Sequence, residues 1–156
     1  LLSLQPVNAK FTTENYHCKL TDNDFLITKE MIRDKIPDNC SGLVIRTIPN
    51  DNSKKIVKYG SENTSFFTSD AIEYINNLGI KHLVVDMPTI DRYDDGGILG
   101  NHHLFFEKNE PYNKTITELA YINNKIKDGL YFMSINIPPM MLDAAPSRVF
   151  LFKIME

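Results

Sequence analysis

Apolar positions recur along the chain with two different periods, and the changes of period mark its elements. Met31, Ile32 and Ile36 fall on one helical face, Thr28 is placed to cap that face, and Pro37 stops it, so a helix is predicted from Lys29 to Ile36. Ala71, Ile72, Ile75 and Leu78 form a second helical stripe, opened by Thr68 or Ser69 and closed by Gly79, where a left-handed cap belongs. Between them Gly42 to Thr47 is short, β-branched and mostly apolar, as expected of a buried strand, and Pro49 to Lys55 is a polar loop. His82 to Asp86 is an apolar strand ending in a carboxylate, followed by a long loop containing Pro88, Gly96, Gly97 and Gly100. Leu130 to Ile137, closed by Pro138 and Pro139, and Val149 to Ile154 read as further strands.

A helix between two apolar strands suggests a βαβ crossover. The elements together predict an α/β fold, a mixed β-sheet with flanking helices. No repeat or linker divides the chain, so residues 1–156 are read as a single domain. The first residues are Leu rather than Met and resemble the middle of a strand, which suggests that the chain begins inside a domain.

Composition narrows the function classes. A chain of 156 residues that is 42% hydrophobic can bury a core without disulfide or metal staples. Its net charge is -3 and its lysines and arginines are scattered, so no basic stripe suits a phosphate backbone and nucleic acid is not an expected partner. Cys18 and Cys40 form no C-x-x-C pair and read as ordinary thiols of a reducing, cytoplasmic compartment. No apolar run is long enough for a membrane span, and no membrane partner is expected.

The reactive side chains concentrate between Asp86 and Glu118. Imidazole with carboxylate is a ligand set for zinc or manganese, and His102-His103 stands between a Gly-rich loop and the apolar Leu104-Phe105-Phe106. A bland alternative is that both imidazoles only solvate a loop end. Asp86 and Asp91 lie at or beyond the C-terminal end of a strand, where open α/β sheets place ligands. Asp94-Asp95-Gly96-Gly97 is turn chemistry and reads as structural. His82 reads as a strand-edge residue, and His17 stands among polar loop residues with no evident partner. No Ser-His-acid set, P-loop or dinucleotide fingerprint occurs, and no residue is assigned a catalytic acid, base or nucleophile role.

The succession LVIRT (43–47), SDAIEYINNLGIKHLVVDMPTID (69–91), NHHLFF (101–106), TITEL (115–119), GLYFMSINIPP (129–139) and DAAPSRVFLF (143–152) resembles the C-terminal portion of the cyclase family that includes kynurenine formamidase. The resemblance runs in ordered blocks from about Phe25 to Ile154 and implies that family's swivelling β/β/α fold. It implies a metal-dependent hydrolase that acts on an amide, formamide, cyclic amide or lactone carbonyl through metal-activated water, arylformamidase-like and belonging to tryptophan catabolism.

Carried over residue by residue, it makes His102 and Glu118 metal ligands. Asp86, Asp91 (with Thr89) and His103 become pocket residues. The metal is divalent, zinc ahead of manganese. The spacing from His102 to Glu118 is longer than usual for the family, around Pro111 to Lys114, and Glu107 and Glu110 are the substitute carboxylates. Arg148 is expected in a structural ion pair. The family's upstream H-x-G-T-H-x-Asp/Glu motif is absent from this sequence. The chain is therefore expected to be the C-terminal part of a longer domain, inactive alone, whose remaining ligands come from a missing N-terminal portion or a second chain. The expected partners are a small-molecule substrate and further copies in a homo-oligomer. The alternative is a degenerate domain kept for binding or assembly.

Overall fold

The computed structural model describes residues 1–60, 64–107 and 113–154, with Glu107 described by its backbone alone. Four strands, β1 (Leu2–Leu4), β4 (Gly42–Thr47), β6 (His82–Val85) and β7 (Thr115–Thr117), form a fully parallel sheet in the order β1-β4-β6-β7. A second sheet joins β2 (Val7–Asn8), β3 (Phe25–Ile27) and β5 (Phe66–Phe67), antiparallel then parallel. Strands β8 (Tyr131–Asn136) and β9 (Arg148–Lys153) make an antiparallel hairpin of their own. The helices are α1 (Lys29–Ile32), α2 (Ser69–Asn77) and α3 (Gly100–Glu107). The architecture is thus α/β with strands of both senses, shared among three sheets.

Side-chain alternation along the parallel strands divides the core in two. Leu43 and Ile45 of β4 and Leu83 and Val85 of β6 face the helices, packing with Ile72 and Ile75 of α2 and Phe105 of α3. Val44 and Val84 point the other way and meet Met133, Ile135, Val149 and Leu151 on the inner side of the hairpin. Both faces of the sheet are covered, as expected where every residue of a strand is apolar. The outer side of the hairpin carries exposed Phe132, Phe150 and Phe152.

Arg46, an interruption in the apolar β4, is buried and saturated. Its guanidinium donates to Ser3 Oγ, to the carbonyls of Asn123 and Ile126, and to Asp128. It thereby fastens β1 and β4 to the loop that leads into the hairpin. Arg148 does not make the expected ion pair: it is exposed, and its guanidinium stands 5.4 Å from the Phe150 ring centre. The physical reason is its place on the Phe150 side of β9, where no carboxylate among the described residues comes within ion-pair distance.

Two elements differ from the sequence expectation. The helix predicted to Ile36 ends at Ile32, because Arg33 turns extended and Asp34 takes a positive φ of 59°. The expected long loop after Asp86 contains α3, which the irregular pattern GNHHLFFE conceals from a periodicity argument. Thr68 caps α2 as predicted, its hydroxyl accepting from the N–H of Ala71, and Gly79 takes φ 76° at the other end. His82 is the strand-edge residue expected, its Nδ1 lying 3.0 Å from Thr115 Oγ1.

Candidate metal centre

Asp91 organises the site. Its carboxylate is fully buried and sits at the N-terminus of α3, accepting from the N–H of Asn101 at 2.7 Å on Oδ1 and of His102 at 3.2 Å on Oδ2. A helix N-terminus leaves such donors unpaired and favours an anion, so the fold supplies the cradle for this charge. Thr89 Oγ1 accepts from the Asp91 N–H at 3.1 Å, the turn that a Thr-x-Asp element makes. Asn101 locks the loop to β5 by donating to the carbonyls of Phe67 and Ile90.

From this base the imidazole of His102 projects between two carboxylates. Nδ1 lies 2.6 Å from Asp91 Oδ2, and Nε2 lies 3.3 Å from Glu118 Oε1. Glu118 follows β7 directly, and its Oε1 also accepts from the N–H of Ile90 at 3.0 Å. Burial lowers the pKa of His102, but its hydrogen bonds to Asp91 and Glu118, and their charges, reverse this and raise it to about 9. Burial raises the pKa of Asp91, and the hydrogen bonds from His102 and from the N–H groups of Asn101 and His102 outweigh it, holding the carboxyl below its usual range.

The geometry suits a divalent ion. Two donors about 2.1 Å from a tetrahedral ion stand about 3.4 Å apart, close to the 3.3 Å between His102 Nε2 and Glu118 Oε1. Asp91 on Nδ1 is the support that metal-bound histidines ordinarily have, fixing the ring with Nε2 on the Glu118 side. A closed coordination sphere needs further ligands beyond these two.

The sequence-predicted residues are not all gathered here. His103, the next residue of α3, is exposed and turned about 100° round the helix from His102. Asp86 is buried in a separate cluster. Its oxygens accept from the N–H and hydroxyl of Thr47, each at 3.0 Å, and from Lys54 Nζ at 2.8 Å. The substitute carboxylates, the Glu107 side chain and Glu110, lie outside the described residues. A cleft of about 550 Å³ opens between β7 and the hairpin, with Glu118, Leu119 and Ala120 on one wall and Pro146 and Arg148 on the other. Asp86, Asp91 and His103, the expected pocket residues, do not line it. Strand register explains this: Asp86 turns toward β4, and Asp91 is drawn beneath α3.

Two residues without a sequence signal also reach Asp91. Tyr16 donates to its Oδ1 at 3.3 Å and accepts from the Arg92 N–H at 2.8 Å; burial raises the tyrosine's pKa well above the ordinary value. His17 Nε2 lies 3.9 Å from Asp91 Oδ1 and 3.6 Å from Asp95 Oδ2. Both sit on an aperiodic loop, where only long-range folding determines the neighbours. Asp95 has the turn role read from the sequence, accepting from the N–H groups of Gly97, Ile98 and Leu99.

No family model matches this sequence, and no curated protein does. Several solved structures share its fold, two of them described as hydrolases. One is a predicted metal-dependent hydrolase from Bacillus stearothermophilus, with a TM-score of 0.60 and 20% identity over 81% of this chain and 56% of that one. The other is a potential metal-dependent hydrolase with cyclase activity, with a TM-score of 0.63 and 20% identity over 84% of this chain and 60% of that one. The chain therefore spans less than two thirds of the length of either. No helix among the described residues is long and apolar enough to cross a membrane. At 20% identity the likeness is one of architecture: the chain has the fold of proteins described as metal-dependent hydrolases.

Proposed function

We propose that this chain forms part of a metal-dependent hydrolase acting on an amide, formamide, cyclic amide or lactone carbonyl, with His102 and Glu118 as two of its metal ligands. The observation that carries the reading is the 3.3 Å approach of His102 Nε2 to Glu118 Oε1, with Asp91 seated behind the ring. A divalent ion held there, zinc ahead of manganese, would supply Lewis-acid activation of water and of the scissile carbonyl. The chain's own contribution is positional. Asp91 holds His102 in one tautomer and orientation, Ile90 steadies Glu118, and the cleft beside Glu118 offers a substrate of small-molecule size a wall of mixed polarity.

The remaining ligands would come from a preceding portion of the same protein or from a second chain, consistent with the length of the fold relatives. A kynurenine formamidase-like substrate such as N-formylkynurenine is the first to try, and a homo-oligomer the assembly to look for. A catalytically incomplete domain kept for binding or assembly is the competing reading, favoured by the two ligand side chains that meet at this point among the described residues.

The test uses the protein together with whatever residues are encoded upstream of Leu1. It should hold a stoichiometric divalent ion and hydrolyse a formamide or cyclic amide. His102→Ala should remove both, with a loss of rate of about 100-fold or more. Retention of metal and rate by that variant eliminates the ligand assignment, and metal binding without hydrolysis of any amide or lactone favours the binding domain.

A further inference from the structure

A second group of donors gathers around the Oδ1 side of Asp91, and the hydrolase reading uses neither His17 nor Asp95. His17, Asp91 and Asp95 each place a ligand atom within 4.8 Å of the other two, and His17 Nε2 lies 3.9 Å from Asp91 Oδ1 and 3.6 Å from Asp95 Oδ2. The two carboxylate side chains are almost entirely buried and the imidazole is 19% exposed, so the group is shielded and still reachable from solvent.

Direct pairing does not explain the spacing. An imidazolium bound to a carboxylate closes to about 2.7–2.9 Å. Here Nε2 stops at 3.6 Å from one oxygen and 3.9 Å from the other, beyond hydrogen-bonding reach of both. Donors about 2.1 Å from a shared ion, and 120–135° apart around it, stand about 3.6–3.9 Å from each other. Lone pairs remain to be used. Among the described residues Asp95 Oδ2 accepts from the Leu99 N–H, and Asp91 Oδ1 accepts from the Asn101 N–H with the Tyr16 hydroxyl at a longer 3.3 Å. Water would fill the open positions of an ion held by three side chains.

The imidazole is also held in place. A Cβ added at Gly100 would stand 2.3 Å from the His17 ring, so the ring occupies space that glycine alone leaves open. The neighbouring Tyr16 hydroxyl is fixed by the Arg92 N–H. The Arg92 guanidinium lies over the Tyr16 and Phe66 rings and bonds Asp24 and the Lys19 carbonyl, pinning the loop from both sides of His17.

We propose that His17, Asp91 and Asp95 bind a divalent first-row cation, such as Zn²⁺ or Mn²⁺, at a position distinct from the one between His102 and Glu118. One imidazole and two carboxylates suit either metal. Asp91 then serves both positions, supporting His102 through Oδ2 and binding this cation through Oδ1. The ion clasps the 91–100 loop to the loop that carries His17, and so stiffens the base on which His102 stands. The site stands on its own donors and does not depend on the hydrolase reading.

The test begins with chelator-treated protein carrying His102→Gln and Glu118→Gln together, which removes the other position. Titration with Zn²⁺, followed by metal analysis after gel filtration, should find about one ion per chain. Adding His17→Gln to that background should weaken binding by about 100-fold or more while circular dichroism stays unchanged. In wild-type protein, Zn²⁺ should shift the His17 ring resonances and Mn²⁺ should broaden them. The proposal is overturned if the double variant takes up no ion, if His17→Gln leaves the affinity as it was, or if neither metal perturbs the His17 ring. Any of these would reduce the cluster to a loose imidazole–carboxylate contact.

Discussion

Asp86 and Asp91 follow the same strand, β6, and both are buried, yet they meet opposite surroundings. Asp86 is closed. Thr47 and Lys54 satisfy its oxygens within one compact cluster, and Lys54 Nζ turns its other hydrogen bonds to Thr47 as well. Asp91 is open-ended, because its partner His102 reaches on to Glu118 on one side and His17 faces it on the other. A buried carboxylate whose partners end on themselves is an anchor for the fold. One whose partner keeps a second nitrogen aimed at a further carboxylate can serve a ligand.

The largest effect that would sharpen this contrast is expected from Asp86→Ala. The substitution leaves the Thr47 N–H without its acceptor and Lys54, with a side chain only 18% exposed, without its counter-charge and held by Thr47 alone. It should cost about 3–5 kcal/mol of unfolding free energy, read by urea denaturation, and leave metal uptake per folded chain unchanged. Loss of metal with little loss of stability would break the comparison, since Asp86 would then belong to the functional centre.

A smaller effect distinguishes Asp91's network by pH. In the metal-free chain the pKa of His102 lies at about 9, above its ordinary 6.5, so its contribution to stability is complete below about 6.5. That contribution is lost as the pH rises through about 9. Asp91, shifted downward, contributes above its ordinary range and loses its part only as the pH falls through its lowered value. Unfolding free energy of chelator-treated protein should therefore decline by about 1–3 kcal/mol between neutral pH and pH 9, and the decline should flatten in His102→Gln. An unchanged slope in that variant would show that His102 is not the group responsible.

The smallest effect is expected from Thr89→Ala, which removes only the hydroxyl that accepts from the Asp91 N–H. A loss of about 0.5–1.5 kcal/mol should appear in the same denaturation curves. A much larger loss would mean that the Asp91 loop hangs on that one bond, and Asp91 would then be an anchor of the fold as Asp86 is.

Much of the frame was legible in the residues. The β4 and β6 runs, the α2 stripe with Thr68 and Gly79, and the two strands of the hairpin follow from periodicity and caps, because those signals act within a few residues of chain. Of the site, Asp91, His102 and Glu118 were picked out, and they come together. His103 and Asp86 were picked out for the same pocket and stand apart from its cleft, since neither the 100° step of a helix nor the facing of a strand end shows in residue type. Helix α3 was hidden because its apolar residues bunch together instead of recurring.

By itself the sequence determined the α2 helix, the β4 and β6 strands, the two strands of the hairpin, and which short stretch is rich in ligands, all consequences of local sterics and of apolar spacing. Tertiary structure alone decided that Arg46 ties the strands to the hairpin loop, that Asp91 is seated under α3, and that His17 arrives beside it from a distant loop. Those pairings join residues far apart in the chain, and their energy exists only once the intervening backbone has been brought into place.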